Sequence, residues 1–199
     1  MDFNILAITS SCRAESISSL LVHDVIAKLK STYPNASLTH HDLAQNPIPL
    51  VTGAWIAGAY SDPATHSEEV KHDIGISDRL VDELLNADAI VIGVPMYNLS
   101  IPAALKAWVD QIVRSRRTFD RQGAGQYQGL VPAGKKVYLC AATGDTPTGS
   151  DYDGATAYMK DVLGFIGLTD ITIIAADQVM SLGASQVEKA KSTIAQLTI

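Results

Sequence analysis

One pattern constrains this chain more than any other: short β-rich apolar runs alternate with amphipathic helical stretches from end to end. Phe3 to Ile8 reads as a buried strand. Ile17, Leu21, Val25 and Leu29 then recur every fourth residue, which puts one apolar stripe on a helix that stops before Pro34. Ala36 to Asp42 alternates weakly and predicts a strand near a sheet edge. A second helix carries Val70, Ile74, Ser77, Val81 and Leu84, with Thr65 and Glu68 at capping-box spacing. Ala89 to Val94 (AIVIGV) is unbroken apolar sequence, as expected of a central strand covered on both faces. Pro102 fits the first turn of a helix that turns Leu105, Trp108, Val109 and Ile112 inward. Lys136 to Ala142 and Ile171 to Ala176 complete five strands, separated by a helix over Ala155 to Ile166 that Gly167 closes. A last helix opens at Ser185, with Glu188 at capping-box spacing, and carries Val187, Ala190, Ile194 and Leu197. Such alternation demands right-handed crossovers, so the expected fold is α/β: a doubly wound five-stranded parallel sheet with helices on both faces. No repeat or linker interrupts residues 1–199, and one domain is expected.

In an open parallel sheet, ligands sit beyond the carboxyl ends of the strands where strand order reverses. Three loops therefore matter. The first, TSSCRAESISS, has six hydroxyls (Thr9, Ser10, Ser11, Ser16, Ser18 and Ser19) around a helix start. Hydroxyls and first-turn amides together make a phosphate cradle without Lys or Arg. Plain N-capping would need only one of them. The second loop runs Pro95, Met96, Tyr97, Asn98, Leu99, Ser100, Ile101, Pro102. Met96 and Tyr97 could pack on a flat aromatic ligand while Asn98 and backbone amides meet its polar edge, or the segment is an ordinary turn with a buried Met. The third, Ala142, Thr143, Gly144, Asp145, is polar, and Gly144 allows close backbone approach or simply a turn.

Several chemistries are excluded. There is no GxxxxGK[ST] string, no Gly in the first loop for a dinucleotide fingerprint, and no GxSxG elbow. A C-x5-R phosphatase beginning at Cys12 would need Arg where Ser18 stands. His40 and His41 are adjacent and point to opposite faces of a strand, and no histidine pair has metal spacing. Lys106, Arg114, Arg116 and Arg117 gather near a helix end, where the helix dipole favours them; contact with a substrate or pyridine-nucleotide phosphate is the other reading. A net charge of -6 argues against sequence-independent nucleic-acid binding. No apolar run approaches the roughly 20 residues of a membrane span. Two cysteines and a start without a signal peptide fit a cytoplasmic protein. Any chemistry must therefore come largely from a bound cofactor.

Three stretches resemble a known family: AQNPIP at 44–49, PMYNLSIPAALKAWVDQIVR at 95–114 followed by Thr118-Phe119, and LGFIGLTD at 163–170. With the serine-rich first loop, they are similar to the FMN-dependent NADH-azoreductases, also called FMN-dependent NADH:quinone oxidoreductases, of flavodoxin-like fold. The resemblance implies FMN contacts at Ser11, at Ser16, Ile17 and Ser18, and along Pro95, Met96, Tyr97, Asn98 and Leu99. Ala142, Thr143, Gly144 and Asp145 stand where that family often has Ser-Arg-Gly-Gly, and would meet the pyrimidine edge of the flavin. Asn98, Phe119 and Arg121 are the candidate substrate contacts. The implied activity is a ping-pong reductase, taking two electrons from NADH or NADPH and passing them to quinones or azo compounds. An NADPH-dependent FMN reductase and a flavodoxin-type electron carrier are the alternatives within reach, and a non-catalytic module of the same fold is a third. Residues 43–66 and 118–134 are long excursions with apolar Trp55, Ile56, Phe119 and Tyr127, from which a homodimer is expected.

Overall fold

A computed structural model describes residues 3–199, with backbone only at Pro63. Five parallel strands form the sheet: β1 (Asn4–Thr9), β2 (Ser37–Asp42), β3 (Ala89–Pro95), β6 (Lys136–Ala142) and β7 (Ile171–Ala176). Their order is β2-β1-β3-β6-β7, so the winding reverses between β1 and β3. This is the doubly wound arrangement expected of the sequence. All seven residues of β3 are buried, whereas β2 is exposed or half-buried along its length, as its weak alternation and edge position require.

The period of two along each strand divides the interior into two cores. Leu6, Ile8, Ile90, Ile92, Val137 and Leu139 pack on one face against α3 (Glu68–Asn86), α4 (Ala103–Ile112) and α5 (Gly154–Phe165). Ile5, Ala7, Ala89, Val91, Tyr138 and Cys140 pack on the other against α1 (Ile17–Thr32) and α7 (Ser185–Ala195). Burying each of the Leu, Ile and Val side chains among these stabilises the fold by about 1.5–3 kcal/mol, which lets the polar edge strand contribute little. α1 ends where the Tyr33 N–H donates to the Leu29 carbonyl, one residue before Pro34 blocks the next turn.

Both excursions are structured, which corrects the expectation of long loops. Residues 53–60 form α2 (Gly53–Tyr60) despite two glycines, because tertiary contacts outweigh propensity. Thr52 caps it, and the buried Trp55 indole donates to Gln111 Oε1 at 2.7 Å. A single 3₁₀ turn follows at Pro63–Thr65. Residues 119–129 form an antiparallel hairpin, β4 (Phe119–Gly123) with β5 (Gln126–Gly129), turning at Gly125 with φ 72°. β5 lies so close to the end of α5 that a Cβ on Gly129 would fall 2.4 Å from the Gly167 nitrogen.

Two capping boxes are also corrected. Ser67, not Thr65, caps α3 by accepting from the Val70 N–H at 3.3 Å, because Thr65 is committed to the Asp62 carbonyl. α7 starts from Ala184 without a side-chain cap, since the Ser185 hydroxyl donates back to Leu182. A short additional helix, α6 (Val179–Leu182), follows β7.

Candidate functional site

Three strand ends bring three loops to one cleft. The cleft is lined by Ser11, Ser16, Ile17, Ser18, Pro95, Met96, Tyr97, Ala142, Thr143 and Gly144, joined by Arg13, Val179 and Met180. Ten of the sequence candidates thus converge at the reversal of strand order, where the crossovers leave a crevice.

Ser16 caps α1, its Oγ accepting from the Ser19 N–H at 3.2 Å. The Ser18 hydroxyl lies 3.2 Å from it and is almost wholly buried. The amides of Ile17 and Ser18, in the first turn, have no acceptor among the described residues. Two hydroxyls, two free amides and the positive end of α1 therefore point into the same end of the cleft. Arg13 is its one cationic lining residue.

The second loop is a strained turn. Asn98 and Leu99 both have positive φ, 50° and 65°, while the Tyr97 and Ser100 amides each donate to the other's carbonyl at 2.8 and 3.1 Å. Successive left-handed residues without glycine are costly, and such conformations gather at functional sites. The turn leaves the Asn98 and Leu99 amides without acceptors among the described residues. Its position is fixed from below by α5, since a Cβ on Gly154 would fall 2.5 Å from the Leu99 carbonyl oxygen. The Tyr97 hydroxyl reaches back to the first loop, accepting from the Cys12 N–H at 3.2 Å and lying 3.3 Å from Ser11 Oγ.

The third loop is tied to α6. Val179 and Met180 donate to the carbonyls of Thr143 and Gly144 at 3.2 and 3.0 Å, and the Gln178 amide donates to the Thr143 hydroxyl. Asp145 accepts from the Ser181 hydroxyl, so its carboxylate is directed to α6 and is not part of the cleft lining. Gly144 and Asp145 amides are again without acceptors among the described residues. Behind this loop the buried Asp153 caps α5, accepting from the Thr156 and Gly149 amides at 3.0 and 2.8 Å. Burial alone would raise its pKa, but these bonds and the Thr156 hydroxyl outweigh it and hold the carboxyl below its ordinary range.

Asn98 and Leu99 flank the cleft as exposed residues. Phe119 and Arg121 are not brought to it in this chain. Phe119 packs with Tyr127 and Phe165, ring centroids 6.1 and 4.9 Å away, and Arg121 donates to the Gly123 carbonyl within the hairpin. Arg13, Val179 and Met180 were not among the sequence candidates. The signals for them were the lone cation of the first loop and the carboxyl end of the fifth strand, which obeys the same rule as the other strand ends.

A family model for the flavodoxin-like fold matches residues 3–197. An FMN-dependent NADH:quinone oxidoreductase of Nostoc sp. strain PCC 7120 is 45% identical over 202 residues, covering 97% of each chain. The chain belongs to this flavodoxin-like family. Among solved structures, an azoreductase from Bacillus anthracis str. Sterne superposes with a TM-score of 0.85 at 23% identity, over 98% of this chain and 100% of that one. An FMN-dependent NADH-azoreductase from Bacillus anthracis str. Ames Ancestor, solved in complex with FMN, gives the same TM-score at 19% identity, over 98% and 96% of the two chains. Both share the flavodoxin-like fold with this chain.

The donor set of this family member fits an FMN. Neutral hydroxyls and helix-start amides suit a phosphate monoester. Free amides at 98–99 and 144–145 suit the acceptor-rich edge of the ring, and Pro95, Met96, Tyr97 and Met180 offer apolar surface for its faces.

Proposed function

We propose that this chain is an FMN-dependent oxidoreductase that carries two electrons from NADH or NADPH to quinones and azo compounds. The observation that carries the proposal is one cleft lined by the Ser16–Ser18 helix start and by Pro95, Met96 and Tyr97, with the left-handed turn at Asn98-Leu99 at its flank. The 45% identical oxidoreductase supports it. Bound FMN would supply the chemistry, accepting a hydride and releasing two electrons. The chain's own residues would do the rest. Ser16, Ser18 and the Ile17 and Ser18 amides would hold the phosphate, and Ser11 and Tyr97 would keep the first loop closed on the second. Amides at Asn98, Leu99, Gly144 and Asp145 would stabilise negative charge at the ring edge. No protein nucleophile or metal cluster is called on; among the described residues no group of acidic, His or Cys side chains has metal-binding geometry. Donor and acceptor would use the cleft in turn, giving parallel lines in double-reciprocal plots.

A homodimer belongs to the same proposal. Leu50, Ile56 and Tyr60 beside and on α2, and Tyr127 on the hairpin, are more than half exposed in the single chain, an apolar surface that a partner would cover. Phe119 and Arg121 would then act on a cleft only as part of the wall between two chains. A cytoplasmic setting belongs to the same proposal, on the two unbridged cysteines Cys12 and Cys140. No helix among the described residues is long and apolar enough to cross a membrane.

The test is a visible spectrum of the purified protein, followed by anaerobic titration with NADH or NADPH and then benzoquinone or an azo dye. The expected result is a yellow protein that bleaches and recovers its colour. A colourless protein that takes up no FMN would overturn the proposal. Light scattering is expected to give twice the chain mass, and a monomer that retains FMN would remove the dimer.

A further inference from the structure

A second cavity of about 320 Å3 lies on the flank of the molecule and shares no lining residue with the cleft. It opens between α2, the first half of α3 and the loop after α4. The docking of α2 on α3 builds its wall: a Cβ on Gly58 would fall 2.7 Å from Val70 Cγ1, and Trp55, Ala59 and Ile74 form a small core beside it. Arg114, Arg116, Arg117, His66, Ser61 and Ser115 line it, with Asp78 as the one carboxylate.

Ordinary ion pairing accounts for part of this cluster. Arg117 donates to Asp78 at 3.0 Å and to Asp82 at 2.6 Å. Arg114 is buried over the Trp55 ring, its centroid distance 5.5 Å, and donates to Ser77 Oγ at 2.7 Å with Asp78 at 3.3 Å. Three features remain. The buried Nε of Arg114 and the buried Nε2 of His66 have no hydrogen-bond partner among the described residues. Arg116 has no ion pair among them, yet its backbone is held in the left-handed region at φ 63°, its amide donating to the Phe119 carbonyl at 2.7 Å. Three guanidiniums face two carboxylates, so positive charge is in local excess. Burial moves the Arg114 pKa downward; Asp78 opposes this, and Arg117 and Arg116 add smaller downward contributions. Those two nitrogens are closed off from the cavity, so what suits an oxyanion there is the excess positive charge of its lining, with Arg116 unpaired among the described residues.

We propose that this flank cavity is an oxyanion site that takes a phosphate group, either inorganic or at the end of a nucleotide. Arg114 and His66 form its floor, the Ser61 and Ser115 hydroxyls its sides, and Arg116 its outer arm. The volume leaves room for a sugar beyond the phosphate. The site is independent of the flavin reading.

Isothermal titration of the full chain with inorganic phosphate and with AMP, at constant ionic strength, tests it. Arg116→Asn keeps a residue tolerant of the left-handed backbone, and His66→Gln keeps a polar side chain. With the cleft's phosphate site blocked by Ser16→Asp, saturable binding is still expected, and it should weaken about tenfold or more when either flank substitution is added. Tighter binding of AMP would assign a nucleotide, and equal or tighter binding of phosphate a free ion. No saturable heat from either ligand in Ser16→Asp, or undiminished affinity when both flank substitutions are added to it, would overturn the proposal.

Discussion

Gly154→Ala puts a methyl group under the turn that presents Asn98 and Leu99. The new Cβ would lie 2.5 Å from the Leu99 carbonyl oxygen, 0.9 Å short of the 3.4 Å at which ordinary contact begins. That oxygen belongs to backbone, so either the turn or the first residue of α5 must retreat. Overpacking of this size costs about 1–3 kcal/mol and lowers the melting temperature by several degrees. A displacement near 0.9 Å also takes the Asn98 and Leu99 amides out of hydrogen-bonding range of a ring edge. Two such bonds at about 1 kcal/mol each predict FMN binding weakened about 30-fold. Gly164→Ala is the matched control on the same helix: nothing lies within 4 Å of its Cβ, so it should stabilise by up to about 1 kcal/mol with FMN affinity unchanged. The assay is fluorescence quenching of FMN titrated with apoprotein, alongside thermal unfolding of the apoprotein. A Gly154→Ala dissociation constant within twofold of wild type would refute the assignment of this turn as the ring's support.

Further outcomes follow from neighbouring contacts. Asp153 is held below the ordinary Asp value of 3.8, so the stability it contributes is complete above that pH and is lost as pH falls through its lowered folded value. Asp153→Asn retains a capping side chain, and the expected result is a flatter acid limb in denaturant titrations below pH 4, with a cost of about 1–2 kcal/mol at neutral pH. Tyr97→Phe removes the hydroxyl that joins the Cys12 amide and Ser11 Oγ, and equilibrium unfolding should show a loss of about 0.5–1.5 kcal/mol. Cys12 is exposed whereas Cys140 is buried with its thiol pKa pushed up by burial. A thiol reagent such as dithionitrobenzoate should therefore modify one cysteine rapidly in the native protein and the second only on unfolding.

How much of this was legible beforehand depended on whether the residues themselves carried the signal. The five strands and the long helices were readable because their burial is periodic, and the unbroken run of β3 already implied a central strand. The hairpin was not readable, since FDRQG and QYQG lack apolar alternation, and only Gly125 marked its turn. α2 was hidden by its glycines, and what holds it is remote in sequence: Gln111, Val70 and Ile74. Three of the cleft's sides were legible because the crossover rule fixes where strand ends meet. Met180 and Val179 were missed because the rule was not extended to the end of β7. The placement of Phe119 could not be anticipated, because its partners Tyr127 and Phe165 come from the unread hairpin and from the far end of α5.

The central claim is that the start of α1 grips a dianionic phosphate, and FMN titration of Ser16→Asp tests it most directly. Aspartate caps a helix as well as serine does and favours the same dipole, so the apoprotein should melt at or above the wild-type temperature. Its carboxylate would oppose the phosphate at about 4 kcal/mol per pair of unit charges at 4 Å in an effective dielectric of 20. Even partial screening predicts FMN affinity reduced about a hundredfold or more, with riboflavin, which has no phosphate, little affected. An unchanged dissociation constant for FMN in this variant would contradict the account.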